Sequence, residues 1–392
     1  MTAVKLSEEE AVANIFERHA LELQGRLADE GIDLFLITDP DSVYYVSGYW
    51  GYLGVDWGRP TVIAVPKDGE LILITPKLES EMAAAMTWIE DIRIFVDGVA
   101  GEWVDPLRDL VTRDGTDRIA VERFQIPAIV SEFLREELGP GQLADGSGIL
   151  GEMRMIKSLE EIEILRQAGQ LAVAMCAAGK ATIAEGIPEY EVALAVAEAG
   201  TRKAAELMGN EKGDLFQSPM IHDLQSLKCG VHTSMAHRRT SVQRIQRGDP
   251  IHMCLCGIAK FKQFKPGMDR QYVVGEPSDE LHKAYEITLA AQQAAINAIR
   301  PGVPAEDIAL ATHEVYRQVG ASSASRAGRG IGYSVNELPQ LKVGDKTPLR
   351  PGMVLAVDGG VSRPGEFGSW TCDTFLVTET GTECLTEFSQ AL

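Results

Sequence analysis

A ten-residue segment occurs twice in this 392-residue chain, and it constrains the fold more than any other feature of the sequence. Residues 186–195 read GIPEYEVALA, and residues 302–311 read GVPAEDIALA. Each copy has a proline where a first helical turn lacks amide partners, followed by acidic residues that favour the positive end of the helix dipole. Both copies therefore predict the start of a helix.

The segments around the two copies repeat in the same order. A long helix is predicted before each copy, one from about Ser158, where a capping box begins, to Lys180, and one from about Ser278 to Arg300. Strand-forming sequence follows each copy. Chance recurrence of a common helix entry is the alternative, and the matching order of the flanking elements argues against it. We therefore predict that residues 158–392 form two related halves around a central cleft.

The first third of the chain alternates between predicted strands and helices, which indicates a separate α/β domain. Its apolar segments predict strands at residues 33–38, 61–65, 71–75 and 118–122. The second and third of these pair across an Asp-Gly turn. A glycine-rich segment at 146–151 separates this alternating pattern from the mainly helical sequence that follows. We therefore predict an N-terminal α/β domain at residues 1–152 and a catalytic domain at residues 153–392.

Composition and charge exclude several classes of protein. The chain is 45% hydrophobic with a formal net charge of -20, so its composition is globular and its charge disfavours a nucleic acid partner. No run approaches the roughly 20 apolar residues that cross a bilayer, and the first ten residues lack a signal-peptide core. The six cysteines show no paired framework. We therefore expect a cytoplasmic protein without disulfides that binds neither nucleic acid nor membrane.

The motifs of the second half resemble the family that contains methionine aminopeptidase, aminopeptidase P and creatinase. They are GRGIG at 328–332, PGMV at 351–354 and a final strand at 373–379. Three segments are closest to creatinase, namely 58–60, 153–158 and 188–194. The resemblance implies the α/β pita-bread fold, with a pseudo-twofold catalytic domain after a smaller α/β domain.

The peptidases of this family hold two divalent ions with two Asp, one His and two Glu. At the corresponding positions this chain has the strand IHMCLC at 251–256, Gly267 or Met268, Arg329, Asp358 and Cys372. Only one carboxylate remains in place. At about 4 Å and an effective dielectric of about 20, the charge of Arg329 would repel a divalent ion by about 8 kcal/mol. The resemblance therefore implies that the two-metal site is lost and that no metal or other cofactor is needed.

A thiolate zinc site is the alternative for the thiols of this region. Cys254, Cys372, Asp358 and a nearby histidine could in principle form one, although no compact ligand spacing supports it. Buried, inert thiols are the other interpretation. His252 alternates with Cys254 and Cys256 on a predicted strand, and it could line the cleft.

A hydrolase without metal needs a proton shuttle, and histidine is the usual one. His237 lies eleven residues before the Gly-Asp turn at 248–249, where creatinase-like enzymes carry their catalytic histidine. The resemblance therefore implies that His237 is the general acid/base. His232 is the alternative, and a structural role for His237 stays open.

Charged residues at family positions imply a zwitterionic substrate. The resemblance places Asp358 and Asp269 where creatinase-like proteins grip a guanidinium-like cation, with a solvated strand end as the alternative for Asp269. Arg59 matches an arginine that clamps a substrate carboxylate, and Trp57 could wall the pocket. That loop would reach the active site of the other subunit, which implies a homodimer with a shared site. Further substrate contacts are expected from Arg329, His232 and Cys372.

These features predict a metal-independent hydrolase that cleaves a non-peptide C–N bond, at an amidino or cyclic amidine carbon, in a small zwitterionic substrate. Creatine is the nearest substrate that the resemblance suggests, and ectoine is the next. Two alternatives stay open. One is a metallopeptidase like aminopeptidase P, and the other is a catalytically inactive binding protein on the same fold.

Overall fold

Residues 14–51, 59–96, 101–209, 214–221, 226–321 and 326–392 are described in a computed structural model of the chain. The chain divides into two units, Met1–Met153 and Arg154–Leu392. The division falls inside a helix, Ser147–Met155, rather than in an extended linker.

One mixed sheet organises the N-terminal unit. Its strands are β1 (Leu34–Ile37), β2 (Val62–Pro66), β3 (Ile72–Pro76), β4 (Asp91–Phe95), β5 (Ile119–Val121) and β6 (Leu143–Asp145), in the order β4-β3-β2-β1-β5-β6. The strands predicted at 33–38, 61–65, 71–75 and 118–122 are confirmed as β1, β2, β3 and β5. The expected hairpin is confirmed too, because β2 and β3 pair antiparallel.

Helices accompany this sheet along the chain. They are α1 (Ile15–Glu30), α2 (Pro40–Ser47), α3 (Ser80–Met86), α4 (Val104–Val111), α5 (Ala128–Glu137) and α6 (Ser147–Met155). The side chain of Asn14 accepts hydrogen bonds from the first turn of α1, and Glu17 completes the capping box. Apolar residues of β1 to β5 pack with those of α4 and α5 in one buried core.

The C-terminal unit has two halves of the same plan. The first contains α7 (Leu159–Thr182), α8 (Glu189–Leu207), β7 (Leu227–Cys229), β8 (Pro250–Cys254) and β9 (Asp269–Val273). The second contains α9 (Asp279–Ala298), α10 (Ala305–Val319), β10 (Gly328–Gly330), β11 (Glu337–Leu341), β12 (Val354–Arg363), β13 (Phe367–Val377) and β14 (Thr382–Cys384). The strands pair in the order β11-β10-β12-β13-β9-β8-β7, and β14 pairs with β13. The predicted pair of related halves is confirmed.

The repeated decamer begins a helix in both halves, as predicted, but its proline lies one position earlier than expected. Pro188 and Pro304 are the N-cap residues of α8 and α10, with extended backbone, rather than residues of the first turn. Each proline also makes an isolated β-bridge, Pro188 with Arg244 and Pro304 with Pro348. The two copies therefore share their backbone surroundings as well as their sequence.

A close backbone approach fixes α9 against the strand pair β12–β13. A Cβ atom on Gly359 would lie 2.3 Å from the carbonyl oxygen of Thr288, so only glycine lets the helix and the strand meet here. Thr288 in turn donates a hydrogen bond to Ser369 on β13, at 2.9 Å between the hydroxyl oxygens. This packing holds the part of β12 and β13 that carries the candidate site.

Candidate active site

Four neighbouring strands place one polar or thiol side chain each in a single row across the sheet. Asp358 on β12 is the register partner of Cys372 on β13. Cys372 pairs with Asp269 on β9, and Asp269 pairs with Cys254 on β8. Directly opposite residues in an antiparallel pair project to the same face of the sheet. The row therefore gathers chemistry-bearing side chains from distant parts of the chain.

A cavity of about 870 Å³ in the C-terminal unit collects most of the predicted site residues. His237, Asp269, Asp358 and Arg329 all line it. The expected position of His252 in the cleft is confirmed, since it lines the same cavity together with Cys254 and Cys256.

The other predicted residues lie elsewhere. Cys372 is fully buried behind the wall, with its Sγ 3.9 Å from the Sγ of Cys256. His232 lies in a short 3₁₀ helix and is not among the residues that line the cavity. Arg59 belongs to the N-terminal unit, and Trp57 lies outside the described residues. The roles of all these residues remain predictions.

Arg329 neutralises the carboxylate that remains from the family's ligand set. Its Nη1 donates to Oδ2 of Asp358 at 3.0 Å, and its Nε donates to the carbonyl oxygen of Val335 at 2.6 Å. Burial alone would lower the pKa of Arg329, but the charges of Asp358 and the nearby thiols outweigh it and hold that pKa above its usual range. Burial raises the pKa of Asp358, and Arg329 opposes that shift. The guanidinium thus supplies the positive charge at this end of the row.

Gly267 shows why the lost ligands cannot be replaced locally. The resemblance places the family's second aspartate at Gly267 or Met268, and Gly267 offers no side-chain donor. A Cβ atom there would lie 3.1 Å from Sγ of Cys372, 3.4 Å from Sγ of Cys256 and 2.9 Å from Cβ of Ala356. Thiols therefore fill the space in which a carboxylate would have to sit. The residues present do not fit a two-ion centre of hard oxygen ligands.

The three clustered thiols differ in acidity. Hydrogen bonds with Cys254 and Cys372 lower the pKa of the Cys256 thiol to about 6. The same hydrogen bonds, together with burial, raise the pKa of Cys254 and of Cys372 well above the usual range. The Cys256 thiol, which donates to Oδ1 of Asp269 at 3.3 Å, is therefore the most acidic of the three.

His252 and Asp269 form a hydrogen-bonded pair in the wall of the cavity. The Nε2 atom of His252 lies 3.3 Å from Oδ2 of Asp269. Burial lowers the pKa of His252, so we assign a neutral imidazole that donates from Nε2. Burial by itself raises the pKa of Asp269, but hydrogen bonds from His252, Cys254 and Cys256 bring it down to about 2. Asp269 therefore stays ionised at neutral pH.

Two buried charges hold the backbone on either side of His237. The Nζ of Lys228 donates to the carbonyl oxygen of Ala236 at 2.5 Å, and Arg238 forms an ion pair with Glu189. Both Lys228 and Glu189 have no exposed surface. The exposed imidazole of His237 is thus presented to the cavity from a fixed loop. The roles of Lys228 and Glu189 were not predicted from the sequence. Glu189, in particular, looks there like an ordinary acidic residue of a first helical turn.

Comparison with known proteins identifies two regions of the chain. A family model described as "Metallopeptidase family M24" matches residues 163–379, and one described as "Creatinase/Prolidase N-terminal domain" matches residues 21–156. No helix of the described segments is long and apolar enough to cross a membrane.

Relatives similar over nearly the whole chain fall into two groups by name. The agropine synthesis cyclase of Rhizobium rhizogenes is 30% identical over 91% of this chain and 92% of its own length. The Xaa-Pro dipeptidase of Pyrococcus furiosus is 27% identical over 96% of this chain and 99% of its own. The solved prolidase from Pyrococcus furiosus has a TM-score of 0.77 at 26% identity, covering 93% of this chain and 99% of that one. The dipeptidase relatives favour the peptidase alternative over a metal-independent hydrolase of non-peptide bonds.

Proposed function

This chain belongs to metallopeptidase family M24 and has its pita-bread fold, and we propose that it hydrolyses a C–N bond of a small zwitterionic substrate without the family's two-metal centre. The observation that carries the proposal is the ion pair of Arg329 with Asp358. A protein cation is bonded there to the one family carboxylate that remains. Together with Gly267 and the thiols, it leaves no oxygen ligand set for two ions.

In this proposal His237 transfers the proton, as the general base and then as the general acid. Its imidazole takes a proton from the attacking water as the water oxygen bonds to the electrophilic carbon. The same proton is then returned to the leaving nitrogen as the C–N bond breaks. Water supplies both the new C–O bond and the proton, so the reaction needs no oxidant or further reactant.

Charged residues are proposed to hold the two ends of the substrate. Ionised Asp269 in the cavity wall favours a cationic amidino or amidine group. Asp358 is a weaker partner for that cation, since Arg329 already neutralises it. Arg59 would bind the substrate carboxylate, and in our proposal it does so from the partner subunit of a homodimer. Trp57, two residues before Arg59 in the sequence, would line the pocket.

The substrate class receives support from one relative. The agropine synthesis cyclase is by its name a ring-forming enzyme, so the chain's similarity is not confined to peptidases. Ring-closing and ring-opening reactions of small polar molecules can both need a residue that moves a proton from the attacking heteroatom to the leaving heteroatom on one carbon. An amidino or cyclic amidine substrate is compatible with such a relative, and creatine and ectoine are the first compounds to try.

A second candidate function is a metal-dependent dipeptidase. It rests on the Xaa-Pro dipeptidases of Pyrococcus furiosus and Pyrococcus horikoshii among the chain's relatives. The geometry of Arg329 and Gly267 argues against it, because hydrolysis in that class uses the two ions whose ligands are missing here.

One assay distinguishes the candidates. The purified protein is dialysed against a chelator and then incubated with a panel of small zwitterions and, separately, with Xaa-Pro dipeptides. We expect release of ammonia, urea or amine from a zwitterion without added metal. Cleavage of a dipeptide that depends on added manganese or cobalt would overturn the proposal. Saturable binding of a zwitterion without any turnover would assign the chain to inactive binding proteins instead.

A further inference from the structure

Two thiols and a carboxylate converge in the wall of the cavity. Cys254 is the last residue of β8, Cys256 follows two residues later, and Asp269 begins β9 as the ladder partner of Cys254. One donor atom from each residue lies within 4.8 Å of the other two. The Sγ of Cys256 is 3.3 Å from Oδ1 of Asp269. All three residues line the cavity, so a dissolved ion can reach them.

The distance between Cys256 and Asp269 is close to an edge of a zinc coordination shell. With Zn–S bonds of about 2.3 Å and Zn–O bonds of about 2.1 Å, tetrahedral geometry places a sulfur and an oxygen ligand about 3.6 Å apart. The observed sulfur to oxygen distance of 3.3 Å is within a few tenths of an ångström of that value. Thiolates are soft ligands, and they select zinc over the hard cations that the family's peptidases use.

The neighbours of the three residues suit a bound cation. His252 donates to Oδ2 of Asp269, which leaves Oδ1, the oxygen nearer to Cys256, available to an ion. Hydrogen bonds of this kind orient the carboxylate ligands of metal sites. Two thiolates and a carboxylate would leave one excess negative charge around zinc. Lys228, buried beside Cys254 and Asp269, and Arg329, which interacts electrostatically with Cys256 and Asp269, each repel an ion by themselves. Against the three negative ligands their charges offset the excess negative charge.

We propose that Cys254, Cys256 and Asp269 bind a single zinc ion in the cleft wall, and that zinc bound there inhibits the protein. Its ligand set, two thiolates and one carboxylate for a single ion, differs from the two Asp, one His and two Glu with which the family's peptidases hold two ions. The inhibitory part rests on the proposed function. An ion in the wall that His237 shares would engage the Oδ1 atom of Asp269, and the carboxylate would then no longer be available to hold the cationic group of the substrate.

Cadmium binding tests the site without any activity measurement. The full chain, reduced and stripped of metal, is titrated with Cd²⁺, and the thiolate-to-cadmium charge-transfer absorbance is followed in the ultraviolet. We expect saturation at one ion per chain and loss of the band when Zn²⁺ is added in excess. Cys256→Ser should lose the band. Cys384→Ser is the matched control and should keep it, because Cys384 lies on β14 and does not line the cavity.

Two results would overturn the site. One is the absence of a charge-transfer band in folded wild-type protein. The other is an undiminished band in both Cys254→Ser and Cys256→Ser, which would place the ion elsewhere. Circular dichroism verifies folding, and Asp269→Asn, expected to weaken Cd²⁺ binding at least tenfold, replaces any cysteine variant that fails to fold.

Different results would contradict the proposed zinc site and the proposed function. A cadmium band without turnover of any zwitterion contradicts the function and supports the site. Turnover by the stripped protein with no cadmium band contradicts the site and supports the function. Turnover that rises when Zn²⁺ is added contradicts the inhibitory role and the metal-free chemistry together.

Discussion

The guanidinium of Arg329 lies 3.0 Å from the carboxylate of Asp358, so a cation of the protein itself is bonded to the only carboxylate that remains in the family's ligand set. The pair has two consequences. It neutralises Asp358 without an external cation, and it occupies one of the two carboxylate oxygens, Oδ2. The experiments below test what this arrangement means for activity, stability and assembly.

Removal of metal should leave turnover intact. We expect exhaustive chelation to change the rate on a zwitterionic substrate little, and added Mn²⁺ or Co²⁺ not to raise it, since Arg329 and Gly267 leave no two-ion site. Rates are compared before and after dialysis, with metal content measured by mass spectrometry. A loss of activity that manganese restores would contradict this expectation.

His237→Ala should reduce kcat by ~10²-fold or more, as expected when a general acid/base is lost. The side chain is exposed, so the melting temperature should hardly change. His282→Ala is the control, because His282 is an exposed residue of α9 outside the cavity, and it should keep full activity. A near-normal kcat for His237→Ala would transfer the role to His252 or His232.

Glu189→Gln should destabilise the protein by about 3 kcal/mol, the cost of removing one partner of a buried ion pair. The charge of Glu189 is fully buried and binds Arg238 as well as the backbone N–H of Ser241. Urea denaturation measures the change. Glu198→Gln removes an exposed pair with Arg202 and should cost at most about 0.5 kcal/mol.

Kinetic measurements on Glu189→Gln show whether Glu189 positions His237 in addition to stabilising the fold. Under conditions where both variants are folded, Glu189→Gln should lower kcat more than it raises KM, because Arg238 next to His237 loses its anchor. Unchanged kcat in the folded variant would limit Glu189 to a structural role.

The ionised carboxylate of Asp33 should stabilise the folded protein, so the free energy of unfolding should fall when this group is protonated at acid pH. Hydrogen bonds from Lys67 and from the backbone N–H groups of Arg118 and Asp117 lower its pKa in the folded protein. A lowered pKa stabilises the fold above the unfolded value of about 3.9, and this stabilisation is lost as the pH falls through the folded value. Thermal melts of wild type and Asp33→Asn between pH 7 and about pH 3 test this. The variant should lose less stability on acidification, and parallel curves would show that Asp33 does not contribute.

A shared active site should permit complementation between inactive variants. Arg59→Ala should raise KM for a carboxylate substrate by ~10- to 100-fold, since a charged hydrogen bond is worth about 1.5 to 3 kcal/mol. When Arg59→Ala and His237→Ala subunits exchange, a heterodimer regains one intact site and measurable activity. A mixture that stays inactive despite proven exchange would show that Arg59 does not serve the site of a partner.

Local signals in the sequence predicted the elements of the fold well. The capping box at Ser158 and the acidic residues after Pro188 and Pro304 act within one helical turn, so the sequence displays them directly. The apolar strands of the N-terminal unit are equally local. The proline positions differed by one residue because proline, without an N–H, also suits the extended N-cap position.

The site depended on pairings that local signals do not reveal. His237, Asp269, Asp358 and Arg329 were predicted from motif positions, and all four line one cavity. The hydrogen bond of Arg329 with Asp358 was not predicted, nor was the ladder row that joins them to the thiols. Such contacts follow from strand register across the sheet, and register is set by the packing of the whole unit rather than by neighbouring residues.

The space around Gly267 also bears on how such a site evolves. An aspartate placed at this position would bring its Cβ to 3.1 Å from Sγ of Cys372 and 3.4 Å from Sγ of Cys256. The tightest contact of that Cβ would be with Cβ of Ala356, at 2.9 Å, so replacing either cysteine leaves it in place, and Arg329 would still repel an ion. Restoring a two-ion centre would therefore take coordinated changes at Gly267, at Arg329 and in the packing of Ala356 and the two cysteines.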